Sequence, residues 1–255
     1  MRLRRLASAI GVAVGIASGP LQAAVFCNFE APTYTANTTF DGVDGWFASA
    51  SARVTPLPGY PQVLEGSQSG WMANTSAKRV WNAEVKPYIG TNDTYISWLV
   101  DRPYGFGRSE FYFSDNIAGA ATPGGIVLGS GGDIRIFAAS LGGEATTGVN
   151  YQTNTIYRFG MLFDFTNNTF KAFVENVTAA TPQQSLGTYT MFGGPKNTTS
   201  IRNNGGIFLF DSPGATATIW DDIQVIPEPS AAMLLALGGL LAWQTSRRRS
   251  NGVAE

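Results

Sequence analysis

The pattern that most restricts this chain is alternation with a period of two. From Thr155 to Phe165, the residues Tyr157, Phe159, Met161, Phe163 and Phe165 fall on one face, while Arg158, Gly160 and Asp164 fall on the other. A half-buried strand has this period; a helix does not. Thr166, Asn167 and Asn168 supply a turn, and the chain returns over Thr169–Asn176 with Phe170, Ala172 and Val174 inward, which predicts a β-hairpin. The same reading predicts strands at Thr94–Asp101 (Ile96, Trp98 and Val100 inward), Ser109–Ser114 and Asp133–Ala139, then at Gly205–Asp211 and Ala215–Ile226. Gly pairs at 124–125, 131–132, 142–143, 193–194 and 205–206 are spaced as turns between strands. Ten to twelve short strands in about 200 residues, with no amphipathic helix and no repeat, predict one all-β domain of two packed antiparallel sheets.

Composition narrows the chemistry. There is no histidine, which excludes Ser-His-Asp and Cys-His catalysis and His-ligated metals. A single cysteine excludes an internal disulfide and Cys-rich zinc or iron–sulfur sites. Charged residues make up 14% of the chain, and 30 Gly and 13 Pro punctuate it, which suits an exported β-protein. Six of the 17 basic and two of the 18 acidic residues lie in the terminal segments, leaving the body with a net charge near −5. With no cluster of Lys or Arg, it is not expected to bind nucleic acid.

The ends read as address labels rather than as structure. Residues 1–24 combine a basic start (Arg2, Arg4, Arg5), an apolar run from Leu6 to Ser18, and Gly19-Pro20 ahead of Leu21-Gln22-Ala23-Ala24, the layout of a signal peptide for the Sec export machinery. Cys27 follows the bulky Phe26 rather than a small residue, so it reads as a buried thiol and not as a lipid anchor. Residues 227–255 open with Pro227-Glu228-Pro229, continue through an apolar run at 230–243, and close on Arg247-Arg248-Arg249. Fourteen residues make a helix of about 21 Å, short of the ~30 Å hydrocarbon core, yet able to insert with flanking arginines snorkelling. The arginines orient its C-terminus towards the cytoplasm. This arrangement resembles the PEP-CTERM sorting signal of Gram-negative bacteria. The resemblance implies transient inner-membrane insertion, recognition by exosortase, processing near Pro-Glu-Pro, and delivery to the cell surface or extracellular matrix. The bland alternative is a permanent C-terminal membrane anchor.

The body, residues 25–226, carries three further segments: Phe29-Glu30-Ala31-Pro32 leading to Asp41-Gly42-Val43-Asp44-Gly45-Trp46, the 157–175 hairpin, and a closing Ala217-Thr218-Ile219-Trp220-Asp221-Asp222-Ile223-Gln224-Val225. Together they resemble the concanavalin A-like (laminin G-like) jelly roll. That likeness implies a carbohydrate-binding or structural module, or alternatively a polysaccharide hydrolase or lyase. It also implies a Ca²⁺ between the first and last strands, with Glu30 and Asp221 or Asp222 as oxygen ligands, helped by Asp41 or Asp44. On a regular closing strand Ile219, Asp221, Ile223 and Val225 share a face, so Asp221 points into the apolar layer and needs a partner. That partner is either a cation or a set of hydrogen-bond donors. Glycosidases need two carboxyls about 5–5.5 Å apart for retention; Glu110 and Asp115, five apart on a strand, face opposite sides and make no such dyad. By alternation Tyr95, Tyr112, Phe137 and Phe173 face away from the core. If their strands adjoin in one sheet they form a flat platform for sugar rings, bordered by Tyr104 and Phe106, with exopolysaccharide as the expected partner.

Overall fold

The computed structural model describes residues 24–59, 62–89, 94–116, 122–193, 198–212 and 217–227. Strands run in chain order as β1 (Ala24–Cys27), β2 (Trp46–Ala48), β3 (Arg53–Val54), β4 (Gly70–Met72), β5 (Thr75–Val80), β6 (Thr94–Asp101), β7 (Ser109–Ser114), β8 (Gly124–Leu128), β9 (Asp133–Ala138), β10 (Gly143–Asn150), β11 (Tyr157–Asp164), β12 (Thr169–Asn176), β13 (Gln184–Thr190), β14 (Gly206–Asp211) and β15 (Thr218–Pro227). One short helix, α1 (Thr198–Asn204), precedes β14. Every pairing is antiparallel. Sheet A has the order β13-β12-β11-β6-β15-β4-β3, with β1 also paired to β15; sheet B has the order β10-β9-β8-β7-β14-β5-β2. The expected two-sheet antiparallel sandwich is the observed architecture. The predicted signal helix and C-terminal membrane helix lie outside the described residues, among which no helix is long and apolar enough to cross a membrane.

The inner faces are those the alternation assigned. Ile96, Trp98 and Val100 of β6 meet Phe159, Met161 and Phe163 of β11 on sheet A, facing Phe111 and Phe113 of β7 and Ile134 and Ile136 of β9 on sheet B. Aromatic rings lock the two layers. Trp98 stacks on Phe111 with centroids 3.5 Å apart, and Phe113 meets Phe163 at 4.5 Å. Such cross-layer pairs add roughly 0.5–1.5 kcal/mol each beyond area burial.

β15 departs from regularity where it matters. Its register against β6 jumps between Asp221 and Gln224, and Asp222 adopts a positive φ of 46°. The jump is a β-bulge, which inserts one residue and resets the side-chain faces. Trp220, Ile223 and Val225 therefore point into the inter-sheet core, while Asp221 joins Ile219 on the opposite face, in register through Leu99 with Arg158. This corrects the expectation that Asp221 shares the face of Ile223 and Val225. On its other edge β15 pairs first with β4 (through Trp220) and then with β1 (from Ile223), so the bulge falls in the interval between them. Cys27 is buried and donates to the Tyr34 hydroxyl at 3.4 Å, and burial pushes its thiol pKa up. The thiol is therefore a poor nucleophile.

Candidate functional site

The outward face of sheet B carries two transverse rows. Directly opposed residues of an antiparallel sheet share a face. Successive register partners run Phe47–Lys78–Phe208–Tyr112–Gly125–Phe137–Glu144 across all seven strands. In the adjacent row Phe210 lies opposite Glu110, Glu110 opposite Val127, and Val127 opposite Arg135. The rings touch in a continuous file: Phe192–Phe137 at 4.8 Å, Phe137–Tyr112 at 5.5 Å, Tyr112–Phe208 at 6.3 Å and Phe208–Phe210 at 6.4 Å between centroids. Phe47, at the far end of the row, is 57% exposed. The file is possible because β8 offers glycine where a side chain would intrude. A Cβ on Gly125 would overlap the Tyr112 ring and stand 2.6 Å from the Phe111 carbonyl oxygen.

A chain of charges borders the rings. Arg108 grips both oxygens of Glu144 at 2.9 and 2.6 Å and also pairs with Glu110; Arg135 reaches Glu144 at 2.9 Å and pairs with Asp133. Burial pushes the Glu144 carboxyl up, but the hydrogen bonds from Arg108 and Arg135 outweigh it and hold its pKa below the ordinary value. Burial and the neighbouring Glu110 charge push the Tyr112 phenol up, so it remains a neutral hydroxyl.

Sequence reasoning turned four aromatics outward and made a shared platform conditional on their strands adjoining in one sheet; the structure divides them between the two sheets. Tyr112 and Phe137 lie in the sheet B file. Tyr95 on β6 and Phe173 on β12 belong to sheet A, where they form a pair of their own at 6.1 Å, with Tyr95 accepting a hydrogen bond from Gln183 at 2.7 Å. Alternation reports which way a side chain points but not which sheet owns the strand. Tyr104 donates to Gln62 at 2.6 Å, which places it with the β3–β4 connection rather than beside the file. Phe106 packs edge-on against Tyr151 at 5.4 Å. Phe208, Phe210 and Phe192 were missed, although inward Ile207 and Leu209 already imply outward Phe208 and Phe210.

A second concentration of polar groups lies at the β15 bulge. Asn28, Glu30, Glu65, Gly66, Asp221, Asp222 and Gln224 line a pocket of about 320 Å³. The three carboxylates expected to hold calcium do meet here, yet each faces protein donors. Glu30 accepts from Ser67 N at 2.7 Å, Ser67 Oγ at 2.5 Å and Gln68 N at 2.9 Å. Burial alone would raise its pKa, but those donors hold it down. Asp221 accepts from Ser69 Oγ at 2.7 Å, Glu65 N at 3.1 Å and Asp222 N at 2.8 Å. Asp222 accepts from Arg158 at 2.8 Å and Gln224 at 2.5 Å. Among the described residues no three carboxylate or thiol side chains are arranged as a metal's ligands. Asp41 and Asp44 serve elsewhere: Asp41 accepts from Ala48 N at 2.8 Å, and Asp44 pairs with the fully buried Arg79. Glu65 shares a hydrogen bond with Asp222, and its pKa is raised by burial and by the Asp222 charge.

No protein-family model and no curated protein matches the chain. Solved structures do. The catalytic domain of a glycoside hydrolase family 131 protein from Coprinopsis cinerea superposes with a TM-score of 0.53 at 11% identity, covering 80% of this chain and 95% of that one. The likeness is one of fold: a two-sheet antiparallel β-sandwich of jelly-roll type. A sialidase gives a TM-score of 0.52 at 11% identity over 82% of this chain, which corresponds to only 19% of the sialidase. A carbohydrate-binding module, CBM66 from Bacillus subtilis, gives 0.42 at 12% identity, over 75% of this chain and 98% of the module.

Proposed function

We propose that this protein is a non-enzymatic carbohydrate-binding component of the cell envelope or extracellular matrix. The observation that carries the reading is the ring file Phe192–Phe137–Tyr112–Phe208–Phe210 on the outward face of sheet B. Pyranose rings present C–H faces that stack on aromatic faces. Tyr112 is only 9% exposed, but its half-buried neighbours Phe137, Phe192, Phe208 and Phe210 carry the apolar strip along the outward face of the sheet, which asks for a ligand in a way that scattered rings do not. Seven strands at 4.7–4.9 Å spacing make the row about 29 Å long, which suits several sugar units laid across the strands. The flanking Arg–Glu chain supplies fixed donors and acceptors for hydroxyl groups.

A glycosidase needs a carboxyl kept protonated as the acid and a second one free to act. Beside the file, Glu110 and Glu144 are instead held by Arg108 and Arg135. The hydrolase or lyase reading rests on the other cluster, where Glu65 with its raised pKa adjoins Asp222 at a pocket. A glycan array probed with the full-length chain separates the two. The binding reading expects retention of intact glycans and an affinity about tenfold lower for Tyr112→Ala, with Tyr95→Ala unaffected. Array spots shortened by the protein, and protected by Glu65→Gln, would establish the enzyme.

The address is part of the proposal. Of the sorting motif only Pro227 falls within the described residues; Glu228, Pro229, Arg247, Arg248 and Arg249 lie outside them. On this reading Sec exports the chain, the 230–243 segment inserts in the inner membrane, and exosortase removes the tail. Mass spectrometry of the extracellular form is expected to find a C-terminus near Pro227–Pro229. An extracellular form that retains Arg247–Glu255 would reject processing.

A further inference from the structure

We propose that the pocket where the two sheets part, between β10 and the β12–β13 connection, is a second binding site, specific for an uncharged polyhydroxylated ring such as a neutral hexose unit. Its volume of about 260 Å³ falls just below the ~300 Å³ lower end of small-molecule pockets, which suits a single ring. Tyr157 and Val174, both buried, lie beneath it, and Asn150, Gln152, Asn176 and Gln184 surround them. The four amides come from both sheets and the loop joining them, since Asn150 ends β10, Asn176 ends β12 and Gln184 opens β13.

The chemistry of the lining selects the ligand. The side chains of Asn150, Gln152 and Gln184 have no hydrogen-bond partner among the described residues. Asn176 Oδ1 already accepts from Ala179 N at 2.9 Å, which leaves its amide NH₂ as a donor. The Tyr157 hydroxyl accepts from Gln152 N at 3.0 Å and keeps its own proton to give. An amide offers a donor and an acceptor side by side, matching a hydroxyl, which needs both. No acidic or basic side chain lines the pocket. An anionic or cationic ligand would surrender hydration here without gaining a counter-charge, and an apolar one would leave the amides unpaired. A neutral polyol meets neither cost. The site is separate from the sheet B ring file and does not depend on its function.

The test is an NMR titration of the full-length chain with neutral disaccharides of glucose, galactose and mannose, and with a digalacturonate as the charged probe. The expected result is that one or more neutral sugars shift the side-chain amide signals of Asn150, Gln152 and Gln184. The uronate should leave them unmoved, and 0.5 M salt should not change the affinity. Because the three amides are exposed, Gln152→Ala and Gln184→Ala should keep the wild-type melting temperature. Each should weaken binding about tenfold, while Tyr112→Ala leaves this binding intact. The site is rejected if no neutral sugar moves these signals at saturating concentration, or if the uronate binds as well. It is also rejected if the response disappears with Tyr112→Ala, which would place the sugar on the ring file.

Discussion

Asp221 is 1% exposed and takes three hydrogen bonds, yet withdrawal from water outweighs them and pushes its carboxyl up to about 7. In the unfolded chain an aspartate ionises near 3.9. Between those two values the folded protein holds a proton that the unfolded chain has released. Stability from this residue is therefore fully present below about pH 4 and is lost as pH rises to about 7. The full difference is on the order of 4 kcal/mol at about 1.36 kcal/mol per pH unit. The wild-type protein is expected to melt several degrees lower at pH 8 than at pH 5, and Asp221→Asn to flatten that slope. Glu30 and Glu144, with lowered values, act in a separate window: their contribution is present above about 4.5 and disappears as pH falls through their folded values. Melting curves of the two proteins that superimpose in their pH dependence would mean that Asp221 reaches water.

At the scale of the element, β8 and β15 show what the sequence made legible and what it hid. Hydrophobic period located β6 and β7 to the residue, and the 157–176 hairpin within two residues, because each buries one face against the opposite sheet. It did not foresee the β15 bulge, since neither Gly nor Asn stands at residue 222 to announce a positive φ. Nor did it reveal the brief strands β1 to β4, whose two to four residues are too short to show a period. The Gly124-Gly125 pair reads as a turn in the sequence. In the structure it opens β8, and Gly125 makes room for the Tyr112 ring. Gly125→Ala is therefore expected to displace that ring and cost about 1–3 kcal/mol. Differential scanning should record a fall of several degrees, accompanied by weaker glycan retention. An unchanged melting temperature with unchanged binding would separate the ring file from β8.

For the whole molecule, cation dependence is the sharpest check on how the first and last strands are joined. The calcium expectation came from the jelly-roll resemblance, and the carboxylates it named, Glu30, Asp221 and Asp222, do line one pocket. What the sequence concealed is that the 65–69 loop and Arg158 already bring donors to those oxygens. A divalent ion would have to displace them, so millimolar Ca²⁺ and chelator are expected to give the same melting temperature. A rise of several degrees with Ca²⁺ would show that the loop yields to the ion. The same strand order also governs the moment at which this molecule can exist at all. Among the described residues β15 is the last strand in chain order, yet it lies inside sheet A, bonded to β6 on one side and to β4 and β1 on the other. A nascent chain lacking residues 218–227 has nothing to fill that slot. Until those residues emerge, the open edges of β6 and β4 mark the polypeptide as unfinished, so a prematurely terminated product is exposed to proteases and chaperones rather than released as a smaller functional domain.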